Sequence, residues 1–361
     1  MRTNLRRSTA STIGNGAPRK TAPRTATAAF LAAAVLLAAG LTACSGSEPK
    51  DVTVYSGRTQ KLVQPLIDEF TKKTGITVDV RYGTTAQMAA QLQEEGDKSP
   101  ADVFLSQDAG ALGAVAKAGL LAQLPAELLA KVPAPYQHTG GQWVGVTGRL
   151  RVFAYNADQV KPAELPKSVL DVTGPQWKGR LGVAPTNASF QTFVTAMRVQ
   201  HGDAKAREFL NAIKANEPQI RDNNIVIVGE INDGKLAAGL VNHYYLFEKA
   251  AELGLSPDQL KVKLHYFGDG DTGGLLNVSG LGLLKKATGN DKARQFMDYL
   301  LGADGQTYFA TKTFEYPLIP GVPAAPGLPV LADLKIPPIN LNDLDTLAAS
   351  VEMIKSSGLT S

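Results

Sequence analysis

The sequence predicts an α/β protein built as two lobes with a hinge and a cleft between them. Three observations predict it. The chain has 361 residues, more than one ordinary core accommodates. Short apolar strands alternate with amphipathic helices along most of its length. The local sequence offers no paired acids or activated nucleophile, and a cleft between two lobes is a standard site for capturing a small ligand.

The first segment reads as an export signal rather than as part of the fold. Residues 1–43 carry Arg2, Arg6, Arg7, Arg19, Lys20 and Arg24 and no acid, followed by an almost unbroken apolar run from Ala28 to Ala43. That run is shorter than the roughly 20 residues a spanning helix needs. It ends Leu41-Thr42-Ala43-Cys44-Ser45, which resembles the lipobox of bacterial lipoproteins, and Cys44 is the single cysteine of the chain. The expectation is a lipid on Cys44, a tethering linker over 44–50, and a protein held on the outer face of the cytoplasmic membrane. Arg6-Arg7 lacks the residues that normally follow a twin-arginine signal.

Asp51–Tyr55 reads as a strand. Lys61–Thr74 puts Leu62, Val63, Leu66, Ile67 and Phe70 on one helical stripe, closed by Gly75. Ile76–Tyr82 alternates as a strand, Thr85–Glu95 is helical, Asp102–Leu105 is a strand, and Asp108–Ala118 is a helix ending at Gly119. This succession predicts a largely parallel sheet covered on both faces. A second set follows: strands at Arg149–Tyr155 and Gly182–Ala184, helices at Phe190–His201 and Ala204–Asn216, and a strand at Leu240–Asn242 running into a helix. Seven prolines between Pro317 and Pro338 make Tyr316–Ile339 an extended connection. A last helix, Asn342–Ser357, carries Leu344, Leu347, Val351 and Ile354 on one face. The lobes are assigned to 51–149 with about 275–325, and to 150–274 with about 326–361; the chain crosses between them more than once.

Composition narrows the function. One cysteine excludes a disulfide framework, a four-cysteine zinc site and an iron–sulfur cluster within one chain. Four dispersed histidines argue against a His-rich metal site. The formal charge of +4 belongs to the export segment, whose six basic residues leave −2 on the 318 that follow. No basic patch interleaved with aromatics survives, so no nucleic acid partner is expected.

The stretches Val52-Thr-Val-Tyr-Ser-Gly57, Glu94-Glu-Gly-Asp-Lys-Ser-Pro-Ala-Asp-Val-Phe104, Lys167-Ser-Val-Leu-Asp171, Trp177-Lys-Gly-Arg180, Asn242-His-Tyr-Tyr245 and Glu315-Tyr-Pro-Leu318 stand in order along the chain. Together they resemble the ferric-ion-binding proteins of bacterial ABC importers. The resemblance implies a type II periplasmic-binding-protein fold, a monomer, capture of Fe(3+) as transported ligand, no catalysis, and delivery to an ABC permease of an iron importer. It places the metal on Tyr244 and Tyr245. It implies a synergistic anion, phosphate or carbonate, at Asn187, Ala188, Ser189, Asn224 and Asn242. Many relatives add a His and a Glu from the first lobe, where this chain has Thr59 and Gln107, and others a third tyrosine where Phe190 stands. Thr59, Gln107 and Asp108 are therefore candidate first-lobe cleft contacts, although for Asp108 the preferred reading is the cap of the following helix.

The residues agree with that chemistry. Fe(3+) prefers anionic oxygen donors, and a phenolate is one once its proton, held to about pH 10, is displaced. Adjacent tyrosines on a strand face opposite ways, but at a strand end entering a helix both can face one cleft. The other reading of the pair is a packed aromatic cluster with Phe247. Helix-start N–H groups favour an anion at Asn187–Ser189, and ordinary capping by Asn187 or Ser189 is compatible with it. Gly268-Asp-Gly-Asp-Thr-Gly273 matches G-x-G-x-x-G, yet the following residues read as loop and strand with no helix to receive a phosphate. The same acids lack the glutamate a calcium loop needs, Gly280 standing there. Two other functions stay open: the same fold binding an oxyanion or small organic solute, and an extracytoplasmic hydrolase or transferase using cleft carboxylates.

Overall fold

The computed structural model describes residues 50–360. The export segment 1–43, Cys44 and the linker up to residue 49 lie outside the described residues. In chain order the elements are β1 (Val52–Ser56), α1 (Gln60–Thr74), β2 (Val78–Tyr82), α2 (Thr85–Glu95), β3 (Val103–Ser106), α3 (Ala109–Lys117), the single turn α4 (Ala126–Leu129) and β4 (Val144–Asn156). Then come β5 (Leu181–Val183), α5 (Ala188–Ala215), β6 (Gln219–Ile220), α6 (Asn224–Asn232), β7 (Ala238–Asn242), α7 (Tyr244–Leu253), β8 (Val262–His265) and β9 (Leu276–Leu283). The chain ends with α8 (Asp291–Leu300), α9 (Ala303–Tyr308), β10 (Tyr316–Pro317) and α10 (Leu347–Ser356).

The ten strands form one sheet ordered β2-β1-β3-β9-β4-β7-β5-β6, with β8 and β10 also pairing β4. The expectation of a largely parallel sheet needs correction at its centre. β2-β1-β3 and β7-β5-β6 are parallel blocks, but β9 and β4 join them through antiparallel pairings. β4 is long because it serves both blocks. Its first half pairs β9 and β10, and from Arg151 onward it pairs β7. Twelve of its thirteen residues are buried, with Thr147, Arg149 and Arg151 among them at alternate positions.

The helices start and stop for local reasons. Gly75, at φ +73°, closes α1 and returns its N–H to Thr71 O. Thr84 and Gln87 make a reciprocal cap at the start of α2. The two helices expected over Phe190–Asn216 are one element broken at Gly202, where φ is +82°. It begins at Ala188, earlier than expected, because Asn187 accepts from Ser189 N. The last helix also differs: Leu341–Thr346 is a 3₁₀ turn, and α10 buries Leu347, Ser350, Met353 and Ile354 while Val351 is exposed. Ser350 faces inward because Thr195 Oγ1 donates to its hydroxyl at 2.7 Å.

The buried apolar residues form three clusters. One gathers Val54, Phe70, Phe104, Trp143, Leu281 and Phe296. A second holds Phe153, Trp177, Phe193, Phe209, Leu240 and Ile354. The third packs Val152, Ile227, Ile231, Val241, Tyr244, Tyr245 and Tyr316 where β4 changes partners.

Candidate ligand site at the strand crossover

The site is built where β7 ends and α7 begins. Tyr244 and Tyr245 are the first two residues of α7, 1 % and 8 % exposed. Their ring centroids lie 4.1 Å apart at 34°, so the phenols stand side by side. Phe247 belongs to the same cluster but stacks on Phe314 at 5.6 Å. His243, just before the pair, is fully engaged: Leu150 N donates to its Nδ1 at 3.1 Å, and its Nε2 lies 2.9 Å from Phe314 O. These bonds fix the neutral ring as donor through Nε2. Burial pulls its pKa down to about 4, so the ring is neutral, and the two hydrogen bonds occupy both nitrogens.

Burial holds the Tyr244 phenol well above its ordinary value of 10 and raises Tyr245 as well. Two cations oppose this, Arg149 and Arg58. Both are at most 3 % exposed, as is Arg151. Only two carboxylates are equally buried among the described residues, Asp108 and Glu315. Arg58 Nη2 lies 2.8 Å from Glu315 Oε1, and Arg149 Nε 4.0 Å from the same oxygen. Thr147 Oγ1 donates to Glu315 Oε2 at 2.8 Å. All three guanidinium nitrogens of Arg149 lack a hydrogen-bond partner. Three cations against two carboxylates leave a buried positive excess, a costly state unless an anion enters.

Arg151 ties this charge to the turn before α5. Its Nη1 donates to Ser189 Oγ at 3.1 Å and its Nη2 to Leu240 O at 2.7 Å. Asn224 Nδ2 also donates to Ser189 Oγ at 3.1 Å, and that hydroxyl donates to Asn187 Oδ1 at 2.7 Å. Asn242 stands opposite Arg151 in the β4–β7 ladder. The structure thus brings Asn187, Ser189, Asn224 and Asn242 around one arginine, with Ala188 opening the helix. With no carboxylate beside it, burial pulls the Arg151 pKa down to about 9, so it remains charged at neutral pH.

Thr59 and Tyr245 line one cavity of about 390 Å³, together with Lys61, Ile225, Glu248 and Phe314. Gln107 does not line it. Asp108 is fully buried as the cap of α3, with Oδ1 accepting from Ala111 N at 2.8 Å and Oδ2 unpartnered. A depression of about 610 Å³ between Ala163 and Gln176 is larger. None of its lining residues holds a buried unpartnered polar side-chain atom, so it lacks the convergent polar groups of a ligand site. Among the described residues no three His, Cys, Asp or Glu side chains cluster to hold a metal. None of these residues' helices is long and apolar enough to cross a membrane.

Sequence reasoning missed Arg58, Arg149, Arg151, Glu248 and Glu315 as site residues. The one local signal, charge inside an apolar strand as in Leu150-Arg-Val-Phe-Ala154, marks Arg149 and Arg151 alone.

Residues 98–346 match the family model of bacterial extracellular solute-binding proteins. The chain belongs to that family. It is 35% identical over 332 residues to the Fe(3+)-binding periplasmic protein of Serratia marcescens, covering 92% of this chain and 96% of that one. It is 32% identical over 326 residues to the major ferric iron-binding protein of Neisseria gonorrhoeae, covering 90% and 97%. Iron-bound HitA from Pseudomonas aeruginosa superposes with a TM-score of 0.81 at 35% identity, over 86% of this chain and 100% of that one. A Trichodesmium protein solved with iron and citrate gives 0.73 at 29%, over 86% and 99%. The fold is that of the type II periplasmic binding proteins, with its parallel blocks joined by the crossing strands β4 and β9.

Proposed function

We propose that this chain captures Fe(3+) outside the cytoplasmic membrane and passes it to an ABC permease, performing no covalent chemistry. One observation carries the reading: two side-by-side phenols at the start of α7, next to an open cavity and backed by buried arginines. Tyr244 and Tyr245 release their protons to solvent as the metal binds, and Arg149 and Arg58 offset the cost of the resulting buried negative charge. The names of the Serratia and Neisseria relatives and the iron-bound Pseudomonas structure support the same cargo.

An anion accompanies the ion. Phosphate or carbonate sits at the Asn187–Ala188–Ser189 turn, within reach of Asn224 and Asn242, and Arg151 supplies the charge that a capped helix start alone lacks. The protein works as a monomer tethered through a lipid on Cys44. Its lobes, 51–149 with about 275–325 and 150–274 with about 326–361, close about β4 and β9. A second reading is favoured by Arg151 alone: the same fold taking an oxyanion or small organic solute without metal.

Titration with ferric salt in phosphate or carbonate separates the two. The first reading requires a visible phenolate-to-iron absorption band that Tyr244→Phe or Tyr245→Phe weakens or removes. A wild-type protein that stays colourless, yet is stabilised thermally by the oxyanion alone, establishes the second.

A further inference from the structure

The two phenols carry two negative charges against the three positive charges of the ion, and the neighbouring first-lobe positions add none. Thr59 lines the cavity as a neutral side chain and Gln107 stands outside it. Asp108 is committed to the cap of α3. Two carboxylates line the cavity, Glu248 and Glu252. Glu252 is 57 % exposed and pairs with Lys249 at 3.2 Å. Glu248 differs on both counts. Its Oε1 is buried without a hydrogen-bond partner, and it makes no ion pair within 4.0 Å among the described residues.

Its place on α7 aims it at the phenols. Glu248 follows Tyr244 by four residues and Tyr245 by three, which puts all three on one helix face. Helical side chains lean toward the helix N-terminus, so the carboxylate reaches back toward the turn that carries the tyrosines. An unpaired buried acceptor is a costly arrangement that persists where something else satisfies it. A hard trivalent cation is such a partner.

We propose that Glu248 is a third protein oxygen ligand of the captured ferric ion, beside Tyr244 and Tyr245. The inference rests on the ferric reading above. Two phenolates and one carboxylate neutralise Fe(3+), and the buried positive excess of Arg58, Arg149 and Arg151 over Asp108 and Glu315 remains for the accompanying anion. All three protein donors then come from one helix start, so this half of the cleft holds the ion before any closure.

The test compares wild type, Glu248→Gln, Glu248→Asp and Glu252→Gln, with Fe(3+) affinity read by citrate competition and the phenolate-to-iron band read in the same titration. The Gln variant is nearly isosteric, and its metal-free thermal midpoint verifies folding. Expected are a loss of at least about tenfold in affinity and a shifted band for Glu248→Gln, since even groups behind metal ligands are worth that much. Glu248→Asp should recover part of the loss, and Glu252→Gln should stay within about twofold of wild type. A coloured wild type with a Glu248→Gln variant of unchanged affinity and band overturns the role of Glu248 and leaves the tyrosines standing. A colourless wild type overturns both.

Discussion

A phenol in water keeps its proton to about pH 10, and burial holds Tyr244 and Tyr245 more tightly still. Both are neutral in the metal-free protein at pH 7, so a ferric ion must displace their protons. Iron uptake therefore releases about two protons from the tyrosines, and log affinity climbs with pH at a slope of about two above pH 7, steepening toward three below it, where Glu248 also holds a proton that the ion must displace. A pH-stat titration checks the stoichiometry, and Tyr245→Phe should remove about one proton from it. Release that is unchanged in the Phe variant contradicts phenolate ligation. At this scale the sequence was informative where chemistry is local. The Tyr-Tyr dipeptide and the helix start at Asn187 and Ser189 could be read from it, whereas Asn224 and Asn242 were named only through the family resemblance. The charges behind them could not, because Arg58 meets Glu315 from 257 positions away in the chain, and only folding makes them neighbours.

Elements were legible wherever hydrophobic period or a cap marks them. α1 and α2 stand within a residue of their sequence-based bounds because an apolar stripe with Gly75, and then Thr84 with Gln87, signal them. α6 carries no such stripe. Its Ile225, Val226, Ile227 and Val228 favour a strand by their branching, and the helix exists because Asn223 accepts from Val226 N at 3.0 Å and because Ile227 and Ile231 pack with Val241 of β7. That packing needs a glycine beneath it. A Cβ on Gly239 would come within 2.4 Å of Ile227 Cγ2 and 3.2 Å of Gly182 O. Gly239→Ala should cost about 1–3 kcal/mol in urea denaturation by pushing α6 off the sheet. It should also loosen Asn224, which opens α6, and so weaken the anion dependence of iron binding. Unchanged stability would mean that α6 rests on the sheet less closely than these distances require.

Across the whole molecule, the ligand site opposes the fold that holds it. The central strand β4 buries two arginines in a sheet of apolar residues, and α7 turns Glu248 into a cavity that denies it a partner. Burial raises the Glu248 pKa to about 7 from 4.5, with Arg58 and Lys61 opposing and Glu315 reinforcing the shift. A raised folded-state value means that the stability associated with this proton is fully present below pH 4.5 and is lost as pH rises toward 7. The shift corresponds to about 3 kcal/mol in the metal-free protein. His243 works the other way. Its folded value of about 4 lies below 6.5, so its contribution is present above pH 6.5 and disappears as pH falls toward 4. The two partly cancel in wild type, and Glu248→Gln exposes the difference. The metal-free variant should match wild type near pH 4.5 and exceed it progressively up to pH 7, while iron should stabilise the variant less than wild type. Denaturation curves at half-unit pH steps, with and without iron removed by chelation, measure both effects. A stability difference that stays constant from pH 4.5 to 7 would show that this carboxylate carries no burial penalty for the ion to relieve.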